Sequence, residues 1–370
     1  MSFNFAEADR RAPAGAIYVS ALRGLLLLAL AAPLAVAGGG GPDTVRVSVF
    51  GLFRPVELSV QALPGAVLRV TAGESETAVE GSTRLLLRLT GGVVEASAGR
   101  RRVTAPAVRV FAQPRPEFVL SVPGRLTRRF HGTLEVTASA DALAAIVAMS
   151  LETAVASALA AELPASFPAE ALKAQAVATR SYYRAQRRGR HAGFDFCDTT
   201  HCQHLREPPA AEHPATRAAR VTRGLVVAYR GQALAALFSA SCGGRTRTLA
   251  DIGLSGGNYP YYAVECAFCR EAAPAWRTPL DPASAALLDE KRSERARLEI
   301  ARKLGWSSVP GNNYEVISHG EGPVVEGRGA GHGVGLCQRG AAGMARRGAA
   351  FQEILARYYP NTILAAGPGP

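Results

Sequence analysis

Lysine is nearly missing. Of the 42 lysines and arginines in 370 residues, only Lys173, Lys291 and Lys303 are lysines, so arginine carries the formal surplus of +12. Guanidinium pairs bidentately with phosphate and carboxylate, which suits an anionic partner, although a bare compositional bias would look the same. The arginines are scattered rather than blocked, and no nucleic-acid-reading motif accompanies them, which argues against a nucleic-acid partner. Two phosphate-cradling patterns, G-x-G-x-x-G and G-x-x-x-x-G-K-[ST], are absent, as is H-E-x-x-H, so nucleotide binding and zincin chemistry have no support. There is no internal repeat. Apolar residues are plentiful, at 48% against 19% charged. That is enough for two ordinary domains with a core each, and it excludes disorder over the whole chain.

Long apolar runs are missing too. The N-terminal run Leu25–Ala37 follows basic residues up to Arg23, is interrupted by Pro33 and is followed by four glycines. It is shorter than the ~20 residues of a spanning helix. It reads as residues 1–37 of a secretory signal, cut after about Ala37, with an uncleaved anchor as the alternative and the sole route to a membrane. Either way the expected location is exported, in the periplasm or cell envelope. Cysteine is scarce but even in number, at six, so both disulfides and metal ligation are admissible.

Residues 43 to about 137 alternate apolar and polar positions in short runs, such as Val45-Arg46-Val47-Ser48-Val49, separated by Gly, Pro and Ser turns, and predict a β-rich module over 38–131. From Asp141 an alanine-rich stretch free of internal Pro and Gly predicts a helix ending near Ala161-Glu162. The turn Leu163–Pro168 breaks it. A second helix follows, with Pro168 at its first position, where a missing N–H costs nothing. Leu225–Tyr229 and Ala233–Phe238 predict a hairpin about Arg230-Gly231. Ala283–Arg302 reads as a solvated charged helix, and a glycine-rich segment, Gly327–Gly335, leads into a last helical pair. The fold class is α+β: the β-rich module, then a mixed α/β domain over 132–364 with a helical pair around the Glu162 turn, and a tail over 365–370.

Three constellations carry chemistry. His191, Cys197, His201 and Cys202 offer two thiols and two imidazoles, the donor set of a tetrahedral zinc site, provided the backbone turns sharply at the adjacent His201 and Cys202. A Cys197–Cys202 disulfide with bystander histidines is the alternative. Glu162 stands at the C-terminal end of its helix, where the dipole should raise its pKa as a general acid requires, whereas Glu170 falls in a first turn, where a carboxylate is stabilised. Lys173 and Arg180 lie on the same polar side as Glu170. The third constellation is Gly329–Gly335 with His332 at its centre, where dense glycine allows close backbone approach.

Taken together, three segments resemble the stage II sporulation protein D family, which includes the amidase enhancer LytB. They are Glu162–Tyr182, Phe238-Ser239-Ala240-Ser241-Cys242-Gly243-Gly244 and Gly331-His332-Gly333-Val334-Gly335 with Gln338-Arg339-Gly340-Ala341, and the likeness runs from about Gly132 to Leu364. Leu163 stands where methionine is common, and Leu336-Cys337 where Met-Ser is usual. The resemblance implies a peptidoglycan lytic transglycosylase or a non-catalytic enhancer of a wall amidase. It implies Glu162 as the catalytic acid/base. Glu170, Lys173, Arg180, Ser239, Ser241, His332 and Gln338 would line a groove for glycan strands. It also points to zinc at the His191 to Cys202 loop and to Cys242 pairing with Cys269 or Cys266, the remaining one left over, with Cys337 as a further candidate.

Overall fold

The computed structural model describes residues 43–81, 83–187, 191–291, 293–319 and 322–367. The expected signal or anchor, residues 1–37, lies outside them. Among the described residues no helix is long and apolar enough to cross a membrane.

Two sheets are built first, antiparallel throughout except that the short edge strand Phe196–Cys197 runs parallel to its neighbour. One has six strands in the order Leu126–His131, Glu117–Val122, Glu57–Ala62, Leu85–Thr90, Val93–Ala98 and Arg101–Ala105. The other has seven, running Phe196–Cys197, Thr44–Val49, Ala142–Ser150, Thr133–Ser139, Ala107–Gln113, Val67–Ala72 and Ser75–Glu80. Period-two alternation buries one face of most strands, and Val47, Leu58, Leu87, Val110, Phe118 and Leu134 meet in one core. The β-rich reading of the early residues holds. The boundary at 131/132, however, falls inside the larger sheet, because Thr133–Ser139 pairs with Ala107–Gln113 and Ala142–Ser150 pairs with Thr44–Val49.

The alanine-rich stretch divides. Ala142–Ser150 is a strand, its Ile146, Val147 and Met149 buried in the sheet. Only from Leu151 does it become helix α1 (Leu151–Glu162), started by Ser150, whose hydroxyl accepts from Thr153 N–H at 3.0 Å. Alanine is permissive for either state, so the cross-strand partners decide the first half and the cap decides the second.

Helix α2 (Ala169–Ala185) follows the Leu163–Pro168 turn, with Pro168 as its cap residue rather than its first helical one. It packs against α1 and against α3 (Pro214–Val221), α7 (Gln338–Arg346) and α8 (Phe351–Tyr358). Leu225–Tyr229 turns back at Arg230 and Gly231, both with positive φ, and pairs with Gln232–Ala233. The expected second hairpin strand stops there. Phe238–Ser239 leaves to pair in parallel with Leu336–Cys337. The short α4 (Ala267–Ala272) precedes a three-stranded sheet of Ala275–Pro279, Gly322–Arg328 and Tyr314–His319.

That sheet and helices α5 (Pro282–Lys291) and α6 (Glu294–Leu304) enclose a second small core around Leu288, Ile300 and Val325. The charged helix expected over Ala283–Arg302 is therefore two helices, and it is not merely solvated. Glu294 and Arg297 are buried and joined by two hydrogen bonds of 2.7 and 2.8 Å.

Candidate functional site

Glu162 is the last residue of α1 and sits half-buried. Burial raises its pKa, and the neighbouring Gln338 side-chain amide pulls the other way. Gln338 opens α7, and its position depends on the glycine loop before it. A Cβ at Gly335, where φ is +71°, would lie 2.0 Å from the Leu237 carbonyl oxygen, so only glycine lets Leu336–Cys337 close onto Phe238–Ser239.

Beside the carboxyl opens a pocket of about 260 Å³ walled by Leu163, Phe167, Ala240, Phe268, Gln338, Arg339, Ala342 and Arg346. Two of its walls, Leu163 and Gln338, are the residue after Glu162 in the chain and the side chain that lowers the carboxyl's pKa. None of the residues lining it is a carboxylate. Phe167 also walls an adjoining pocket of about 350 Å³, whose rim includes Lys173 and Arg217. Arg339 and Arg346 are exposed cations on one face of α7, seven residues apart. Arg339 falls within the family-like motif and Arg346 outside it, and neither was among the expected groove residues, though their i, i+7 spacing carried the signal.

The other expected groove residues scatter. Arg180 is fully buried: it grips Glu152 through two hydrogen bonds of 2.8 and 2.6 Å and donates further to the Ala219 and Leu225 carbonyls at 3.0 and 3.1 Å. With its donors engaged in the interior, Arg180 pins α1, α2 and α3 together and is not a groove cation. Glu170 pairs with Lys173 at 2.5 Å and accepts from Phe351 N–H at 3.0 Å, the first residue of α8. The Lys173 hydrogen bond holds its pKa below the usual range. Ser239 and Ser241 are both buried; Ser241 Oγ lies 3.5 Å from Cys269 Sγ. His332 is closed from solvent, and burial pulls its pKa down to about 4, leaving a neutral imidazole whose Nδ1 accepts from Val334 N–H at 3.0 Å.

The zinc-type donors do assemble. A hydrogen bond from Cys202 N–H to Thr199 O at 3.1 Å closes the sharp turn that the adjacency of His201 and Cys202 required. His191 Nε2 then lies 3.2 Å from Cys202 Sγ, and His201 Nδ1 lies 3.7 Å from both Cys197 Sγ and Cys202 Sγ. All four ligand atoms fall within 4.8 Å of one another, and neither thiol is in a disulfide. Hydrogen bonds, first from Cys202 and also from Thr199 and His201, pull the Cys197 thiol down to about 4. Two soft and two borderline donors so arranged fit a tetrahedral zinc ion and leave no open position. Tyr183, buried against Phe196 at 4.7 Å between ring centres, feels the charges of Cys202, Cys197 and Glu162, so it lies between loop and carboxyl.

The expected Cys242 disulfide is not formed. None of the six cysteines is in a disulfide, and Cys242, Cys266, Cys269 and Cys337 come together instead. Cys337, named only as a further candidate, arrives from the parallel strand pair, a long-range contact that spacing alone does not reveal.

Residues 139–229 match the family model SpoIID, Stage II sporulation protein. The chain carries a SpoIID domain. The match takes in α1, the Glu162 turn, α2, the His191–Cys202 loop and α3, and it marks a sporulation-related cell-wall protein. An uncharacterized protein of Brachyspira hyodysenteriae is 28% identical over 261 residues, covering 62% of this chain and 70% of that one.

Proposed function

We propose that this SpoIID-domain chain is an exported peptidoglycan lytic transglycosylase. The observation that carries the reading is Glu162, a half-buried carboxyl with a raised pKa, next in the chain to Leu163, which walls a pocket with no carboxylate in its lining. One carboxyl then serves both steps. As an acid, Glu162 gives its proton to the glycosidic oxygen leaving C1 of N-acetylmuramic acid. As a base, it takes the proton of that sugar's own C6 hydroxyl as the oxygen closes on C1. The proton is returned, and neither water nor a second carboxylate is consumed, unlike the two-carboxylate scheme of ordinary glycosidases.

A raised pKa suits this order, because the carboxyl must hold its proton before the first step near neutral pH. Arg339 and Arg346 on the pocket wall, rather than Arg180, supply cations for the lactyl or peptide carboxylates of the strand. Leu163, Phe167 and Phe268 provide apolar surface for the sugar faces. A zinc ion held by His191, Cys197, His201 and Cys202 would fix the loop that packs through Phe196 onto Tyr183, a structural task, since four protein ligands leave it no reactive position.

The test is mass spectrometry of soluble products after the purified chain is incubated with native and with amidase-treated peptidoglycan. The expected products end in 1,6-anhydro-N-acetylmuramic acid. Free reducing ends would mean hydrolysis. If neither wall preparation releases soluble product, the transglycosylase reading fails, and stimulation of an added wall amidase becomes the activity to measure.

A further inference from the structure

Cys242, Cys266, Cys269 and Cys337 come from three separate parts of the chain. Cys242 follows the strand Phe238–Ser239, Cys337 ends its parallel partner, and Cys266 and Cys269 form a C-x-x-C pair at the start of α4. Their four sulfurs lie within 4.8 Å of one another, and Cys269 Sγ is 3.4 Å from Cys337 Sγ. A disulfide needs its sulfurs at about 2.05 Å. A tetrahedral zinc with Zn–S bonds of about 2.3 Å spaces its sulfurs about 3.8 Å apart, which falls within the range seen here.

The surroundings are those of thiolates rather than of a plain apolar core. Cys337 Sγ accepts from the N–H groups of Cys242 and Gly340, each at 3.3 Å. Tyr358 Oη stands 3.3 Å from Cys266 Sγ, and Ser241 Oγ stands 3.5 Å from Cys269 Sγ. Three of the four sulfurs thus have a polar donor, the outer shell that tunes a metal's ligands. The fit is close enough to forbid a side chain at Gly340, where a Cβ would meet Cys266 Sγ at 2.6 Å and Tyr358 Oη at 2.0 Å.

We infer that Cys242, Cys266, Cys269 and Cys337 form a second metal site, a tetrathiolate centre for a structural Zn²⁺. Four thiolates and their donors select a thiophilic tetrahedral ion and close its shell, so the ion does no chemistry. Its work is positional. The residue after Cys337 is Gln338, the amide against Glu162, and the ion ties that junction to α4, whose Phe268 walls the same pocket. Binding releases the thiol protons, and the resulting negative charge is spread over the four hydrogen-bond donors.

The experiment uses the full chain carrying Cys197→Ser and Cys202→Ser, which removes the other candidate site. Zinc measured by plasma mass spectrometry should remain close to one ion per chain. Cobalt exchanged into this variant should give the intense sulfur-to-cobalt charge-transfer and d–d bands of four thiolates. In the wild-type chain, all four cysteines should become open to alkylation after unfolding in chelator without reductant. That measurement holds even if the double variant fails to fold. Zinc-free folded variant, or recovery of any pair among Cys242, Cys266, Cys269 and Cys337 as a disulfide, would overturn the assignment.

Discussion

At Glu162 the burial that raises the carboxyl's pKa also works against the fold, because the folded chain holds that proton more tightly than the unfolded one. The contribution is fully present below the ordinary carboxyl pKa of ~4.3 and is lost as pH rises through the folded value. Glu162→Gln should therefore unfold at a higher temperature than wild type near pH 7, with the gap closing in acid, while turnover falls by at least ~10²–10⁴-fold. Calorimetry across pH and the product assay check the two halves separately. Activity of the wild type should decline as pH rises through that same folded pKa, because the acid step needs the proton. Arg180 is buried as well, with a partner. Its charge is matched by Glu152, so Arg180→Ala strands a carboxylate half in the interior and should cost about 3–5 kcal/mol in denaturant titration. Glu162 was legible in the sequence because its helix end and its turn are local. Arg180 was not, since its acceptors Ala219, Thr222 and Leu225 lie about forty residues away along the chain.

Elements show the same division between local and distant causes. The α1–turn–α2 unit could be read from Pro164, Pro168 and the alanine spacing, and the Arg230-Gly231 turn from its residues. The strand Ala142–Ser150 could not, because what makes it a strand is the pairing of Val45 with Met149 and of Leu134 with Val147. Nor could the convergence of Leu336–Cys337 with Phe238–Ser239, which brings Cys337 to Cys242 across 95 residues. Glu170 links two elements, pairing with Lys173 on its own helix and capping the first N–H of α8. Glu170→Gln should cost about 0.3–1 kcal/mol, the worth of a first-turn carboxylate. Turnover should survive. A folded Glu170→Gln chain without activity, beside an active Glu162→Gln chain, would mean that the wrong carboxylate has been placed at the pocket.

Across the whole molecule the two halves are one hydrophobic unit. Residues 132–364 begin with a strand that needs Ala107–Gln113 on one side and continue with one that needs Thr44–Val49, so a chain cut at 131/132 bares two rows of backbone groups and the face of Val136 and Val147. Expressed alone, residues 132–364 should fail to give a cooperative thermal transition, whereas the chain from residue 38 should unfold as one. The metal loop bears on this in a further way. Phe196–Cys197 is the outermost strand of the seven-stranded sheet, hydrogen-bonded beside Thr44–Val49, and Asp195 and Asp198 accept from the N–H groups of Arg46 and Phe50. The loop is thus a cover as well as a cage. Released from it, Thr44–Val49 would present a flat, alternating, unpaired edge of the kind that recruits a second copy of itself. Loss of the His191–Cys202 donors should therefore be seen first as self-association, in light scattering at temperatures where the fold still stands.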